Sequence, residues 1–169
     1  MKVLVAVLLG AAALVAPAAT GDPGQWYLSG SGVGSGVLAG DHVEVGAQSD
    51  VGGANPRGHA EDQGSVGSEA FNDGGPIVCL KVLDHRAVVV WKLRNPLTFP
   101  ELPGRVYLYG AAYIEDNGNP VGGQPVDRMV DYVVREPNLP FFCDSDVASF
   151  FGAGDAEPLV SGNFVVRGG

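Results

Sequence analysis

Positive charge is scarce in this sequence of 169 residues: ten Lys and Arg, only three of them Lys, stand against 19 Asp and Glu, a formal net charge of -9. A protein that binds nucleic acid by releasing counter-ions from phosphates needs a basic face, so nucleic acid is excluded as a partner. Cysteine is nearly absent, with two residues, which leaves no set of thiols for a structural zinc site. No apolar run approaches the roughly 20 residues that cross a bilayer as a helix. Long uninterrupted helices are excluded by an excess of breakers, since 26 Gly and 12 Pro are about twice average usage. What remains is 46% hydrophobic and 17% charged, too apolar for a disordered chain. A loop-rich β domain is the class left standing.

The longest apolar run, residues 3–15, follows Met1 and Lys2 and ends at Ala16-Pro17-Ala18. A positive start, a short apolar stretch and a small-x-small end are the pattern of a secretory signal. Residues 1–18 are read as that signal, and no Cys near the cleavage point supports a lipid anchor. The mature chain, residues 19–169, is then a single secreted β domain of 151 residues with net charge -10, extracellular and without a stable membrane span. In an oxidising compartment Cys79 and Cys143 are expected to form one disulfide. It would close a loop of about 64 residues and destabilise the unfolded chain by roughly 4 kcal/mol.

Residues 19–75 are Gly-rich and read weakly. Trp26-Tyr27-Leu28 and the alternating Val43 and Val45 favour narrow strands before residue 64, and residues 64–75 read as a loop. Residues 76–167 carry the core hairpins. Two β-rich runs, residues 77–83 and 86–93, flank Asp84-His85, and a two-residue turn pairs Leu83 with Arg86. Val82 with Ala87, Leu80 with Val89 and Val78 with Trp91 then share an apolar face, while Lys81, Arg86 and Lys92 fall on the other. In residues 105–115, Val106, Leu108, Gly110, Ala112 and Ile114 lie opposite Tyr107, Tyr109, Ala111 and Tyr113, and Asp116-Asn117-Gly118-Asn119-Pro120 ends the strand. Further strands are expected at 128–135 and 163–167, anchored by Tyr132 and Phe164. A short helix is expected at 144–151, capped by Asp144. Six to eight such strands predict a small antiparallel β-barrel, or a sandwich, with at most one short helix.

Taken together, the Cys79-Leu80-Lys81-Val82 hairpin, the Asp116-Asn117-Gly118 turn with Asp127, and the terminal Gly162-Asn163-Phe164-Val165-Val166 resemble a group of small exported all-β proteins of actinobacteria. The likeness spans roughly residues 76–167, and the group has no characterised activity. It therefore implies a β fold and export, and no chemistry.

Motifs that carry chemistry are missing. No Ser sits in Gly-x-Ser-x-Gly, and the glycines at 30, 32, 34 and 36 do not form a dinucleotide fingerprint. His59-Ala60-Glu61 reads as solvated loop. His42, His59 and His85 read as separate surface residues rather than a metal centre. Asp116 with Asn117 and Asn119, and Asp144 with Asp146, offer oxygen ligands but no EF-hand pattern. Of the Asp and Glu residues no pair is singled out for catalysis, and no metal or cofactor is expected. The favoured function is a secreted binding or interaction module for an extracellular ligand or protein, with Tyr107, Tyr109 and Tyr113 as a candidate ligand face or, alternatively, a layer covered by Phe141, Phe142 and the Cys143 segment. The competing reading is a small β-barrel enzyme of cyclase or isomerase type with an apolar cavity.

Overall fold

The structure is a computed structural model and describes residues 24–34, 40–66, 69–100, 102–119, 122, 127–144 and 156–168. Residues 1–18, read as the signal, lie outside the described part. Among the described residues nine strands form one antiparallel sheet: β1 (Gln25–Val33), β2 (His42–Asp50), β3 (Arg57–Val66), β4 (Glu69–Leu83), β5 (Arg86–Leu97), β6 (Tyr107–Glu115), β7 (Arg128–Val134), β8 (Glu157–Pro158) and β9 (Ser161–Arg167). A 3-10 turn, Glu136–Asn138, leads into the single described helix, α1 (Leu139–Asp144). No described helix is long and apolar enough to cross a membrane.

The sheet order is β8-β7-β6-β5-β4-β3-β2-β1-β9, so every strand up to β8 pairs with its neighbours in sequence and β9 alone joins the far edge. Leu159 and Val160 carry the chain from one edge to the other. Leu159 N donates to Asp127 O at 3.1 Å and Val160 N to Val33 O at 2.8 Å. A sheet whose two edges share one short segment must curl, and this one forms a barrel-like wall. The outer edge of β9 is closed by side chains rather than by a ladder. Phe164 N donates to Asp127 Oδ2 at 2.7 Å and Val166 N to Asp116 Oδ2 at 2.9 Å. The Asp-Asn-Gly segment thus clasps the barrel as well as turning the chain.

Strand alternation builds two apolar layers. Leu28, Val43, Leu80, Val89, Trp91, Ile114, Met129 and Phe164 pack inside the curl. Cys79, Val88, Val90, Ala111 and Tyr113 pack on the outer side of β4 to β7, where Leu139, Phe142 and Cys143 of α1 lie against them. Trp91 fits inside because Gly110 opposes it: a Cβ on Gly110 would lie 2.3 Å from the indole.

The expected hairpin is present, with Leu83 opposite Arg86, Val82 opposite Ala87 and Leu80 opposite Val89. Asp84 turns it at φ 55. One pairing is corrected. A bulge between Ile77 and Cys79 makes Ile77, not Val78, the partner of Trp91, and Val78 packs outside with Cys79. The described part of the expected loop is strand: residues 64–66 end β3 and residues 69–75 begin β4, which bends at Gly74-Gly75-Pro76 from pairing with β3 to pairing with β5. The glycines that read as breakers are what let the walls meet, since a Cβ on Gly75 would lie 1.9 Å from Lys92 O. Asp73 satisfies the interrupted ladder there by accepting from Arg94 N and Asn95 N, both at 2.9 Å. The described helix α1 covers Leu139–Asp144, whereas the expected helix at 144–151 falls, apart from Asp144, outside the described residues.

Candidate functional site

Cys79 and Cys143 are brought close together, but as two thiols and not as the expected disulfide. The bulge turns Cys79 outward on β4, α1 lays Cys143 over it, and the two free thiols face each other in near-contact. That contact, reinforced by burial, pushes the Cys79 thiol up. The same contact holds the Cys143 thiol down against the opposing effect of burial. Of the β6 tyrosines, Tyr107 and Tyr113 are buried and Tyr109 is half-buried, while Phe141, expected to cover them, is exposed. Tyr107 is 8% exposed and Tyr113 1% exposed. Tyr107 packs against Phe99 with ring centroids 5.4 Å apart, Tyr113 donates to Glu115 Oε1 at 2.6 Å, and Tyr109 packs beside Tyr132 and Phe142 in the outer layer.

The face that is open lies on β1, β2, β3 and β9. Its register sets Ser29 beside Gly46, Ser31 beside Glu44, Gly46 beside His59 and Glu44 beside Glu61, with Asn163 opposite Ser31. All are outward positions of the pleat, and they line a groove of about 570 Å³. His59 Nε2 lies 2.8 Å from Glu61 Oε1, and Arg94 Nη2 donates to Glu61 Oε2 at 2.5 Å. The His59 contact holds the Glu61 carboxyl below its ordinary range, with Arg94 adding to it against partial burial. Asn163 Oδ1 is buried in this wall with no hydrogen-bond partner. Past Gly46 the groove continues into a second depression of about 420 Å³ beside Tyr27, Gln48 and Arg57. His59-Ala60-Glu61 is therefore strand, not solvated loop.

Gly46 has a specific meaning. Its φ is ordinary, and a Cβ there would meet nothing within 4 Å. Neither backbone strain nor packing requires glycine in the middle of β2, where it weakens the strand. Its effect is to keep the floor flat where the two depressions meet.

The barrel interior holds a second group that sequence reasoning missed. Asp62 on β3 is 2% exposed, and its Oδ1 has no hydrogen-bond partner. Asp131 Oδ1, on β7, has none either. Asp131 opposes Ala112 of the inner layer, so both acids face inward. Burial pushes the Asp62 carboxyl up to about 8, and the nearby Asp131, Asp41 and Asp73 charges add to the shift. Burial, with the charge of Asp41, pushes Asp131 to about 6. Asp41 is raised by burial against one hydrogen bond from Ser65 N.

His42 opens β2, His59 lies on β3 and His85 sits in the β4–β5 turn. Asp116 spends its carboxylate on Gly118 N and Val166 N, and Asp146 lies outside the described residues. Among the described residues no three His, Cys, Asp or Glu side chains are arranged to hold a metal ion. Comparison with protein-family models, curated proteins and solved structures finds no match for this chain, so the functional reading rests on geometry.

Proposed function

We propose that this chain is an exported binding module that holds a polyhydroxylated extracellular ligand, a glycan segment, along the outer face of β1 to β3 and β9. The observation that carries the reading is the groove floored by Gly46, a position where glycine serves neither fold nor packing. Ser29, Ser31, Glu44, His59 and Asn163 offer hydroxyl, carboxylate, imidazole and amide groups, the mixture that matches sugar hydroxyls acting as both donors and acceptors. Tyr27, at the far end, offers a ring for the apolar face of a sugar. The groove lies open on the outside of the wall, a setting for holding a chain-like ligand rather than for chemistry on an enclosed substrate.

Export fits the signal-like residues 1–18 and the resemblance to small exported actinobacterial proteins. After export the facing thiols of Cys79 and Cys143 become the disulfide, pinning α1 over the outer layer. No nucleic acid partner fits a face with this charge.

Amide-resolved NMR titration with cellopentaose, chitopentaose and maltopentaose tests the reading. At least one is expected to shift the amides of residues 29–31, 44–46 and 59–61. Gly46→Val, which adds a β-branched residue at an open strand position, is expected to raise stability by up to about 1 kcal/mol while removing those shifts. Absence of shifts with all three sugars, or unchanged binding by Gly46→Val, overturns it.

A further inference from the structure

The mouth of the barrel beside β2, β3 and β4 is built around one spot on the wall. A Cβ on Gly64 would lie 2.5 Å from Asp41 Oδ1 and 2.9 Å from Phe71 Cζ. A carboxylate and an aromatic ring therefore converge over the same glycine. They line a depression of about 330 Å³, at the small end of the range for ligand sites. Asp62 lies two residues from Gly64 on the same inward side of β3, beneath the lining of the depression and near enough for the Asp41 charge to act on it. Its side chain is almost wholly buried, yet Oδ1 lacks a donor. Deeper in, the Nε1 of Trp91, a residue with no exposure, also lacks a partner.

The charged groups that bear on Asp62 are Asp41, Asp73 and Asp131, every one acidic. Asp73 is already engaged by Gly74 N, Arg94 N, Asn95 N and the Arg94 guanidinium. Asp41 receives one backbone N–H, from Ser65 at 3.1 Å. Two inward carboxyls thus keep acceptor capacity with no basic side chain among the groups that act on them. Buried polar atoms without partners are rare in native folds and call for a reason.

We propose that this mouth binds a small organic cation, a primary ammonium carried on an apolar group, with Asp41 and Asp62 as counter-charges and the Phe71 ring against its face. An ammonium supplies three donors, enough to serve both carboxyls. An aromatic ring next to a carboxylate favours a cation over a neutral isostere. The hydrocarbon end faces the apolar interior that begins at Val43, the partner of Asp62 across the β2–β3 ladder. When the ammonium binds, the Asp62 carboxyl gives up its proton to the buffer and becomes the carboxylate that faces the cation. Binding is thereby linked to release of a proton.

Isothermal titration calorimetry at pH 7 with benzylamine, against benzyl alcohol as the neutral isostere, tests this in two buffers of different ionisation enthalpy. The expected result is benzylamine binding at least tenfold tighter than benzyl alcohol, with a heat that depends on the buffer. Asp62→Asn, which keeps the shape and removes the charge, is expected to lose at least tenfold in affinity and the buffer dependence with it. Should that variant fail to fold, Asp41→Asn is measured the same way with the same expectation of weaker binding. No benzylamine binding, equal binding of the amine and the alcohol, or unchanged binding by the folded variant overturns the proposal.

Discussion

At the scale of single residues, Asp62 makes the fold sensitive to pH. The unfolded chain ionises this carboxyl near 4, while the folded protein keeps it protonated up to about 8. Between those values the native state binds the extra proton, so stability falls as pH rises. The benefit is complete below about pH 4 and gone above about 8. Asp131 acts with the same sign and is spent by about pH 6. Asp73 is held low because three backbone N–H groups and Arg94 outweigh its burial, so it acts with the opposite sign, only in more acid solution. Scanning calorimetry is therefore expected to give a melting temperature at pH 5 at least about 5 °C above that at pH 8, equivalent to roughly 1 to 3 kcal/mol. Asp62→Asn removes most of the slope and is the more stable protein at pH 8. A flat profile, or one rising toward pH 8, contradicts the assignment. Nothing in Glu61-Asp62-Gln63 announces this role, because three polar residues in a row give no apolar alternation to show which one points inward.

At the scale of elements, the sequence is most legible where alternation is strong and the partner is local. The β4–β5 hairpin, its positive-φ Asp84 and the alternation of β6 from Gly110 to Ile114 follow from period-two patterning and turn chemistry, whereas Val106, expected on the inner face, lies before β6 and is exposed. Uniform pairing fails at the bulge, since an extra residue leaves no mark in a run as evenly apolar as Ile77-Val78-Cys79. The described helix precedes the expected one, and Pro137, at the start of the turn leading into α1, is the opening signal that local reading overlooks. The cysteine pair follows from these elements: β4 turns Cys79 outward and α1 brings Cys143 onto it. With Cys79 raised and Cys143 lowered by their contact, Cys143 is the thiol that ionises first. Reduced protein treated with iodoacetamide at neutral pH is expected to be alkylated at Cys143 at least about tenfold faster than at Cys79, read by peptide mass mapping. Preferential modification of Cys79 would reverse the roles in disulfide formation.

At the scale of the whole molecule, closure depends on groups that no local pattern reveals. The antiparallel all-β class is legible from composition and turn spacing, but the place where the wall closes is set by residues far apart in the chain. Gly74-Gly75-Pro76, read locally as a break, is a corner because β3 and β5 hold β4 on either side. Likewise Asp127 looks like part of a loop, yet it is fully buried. Its side chain accepts Asn117 N at 2.9 Å and Phe164 N at 2.7 Å, and its carbonyl accepts Leu159 N. Two of these three bonds vanish in Asp127→Ala, which leaves the buried Phe164 N–H without its acceptor at about 1 to 3 kcal/mol, while the Asn117 N–H, only partly buried, loses less. The loss is local, because β9 keeps its ladder to β1 while its outer edge comes free. Hydrogen exchange should therefore accelerate by at least about tenfold at the Phe164 and Val166 amides, with Leu80 and Val89 in the hairpin changed only by the global loss of stability. Equal acceleration at all four amides would mean that Asp127 supports the fold at large rather than its closure, whereas selective release of β9 identifies the carboxylate as the clasp of the barrel.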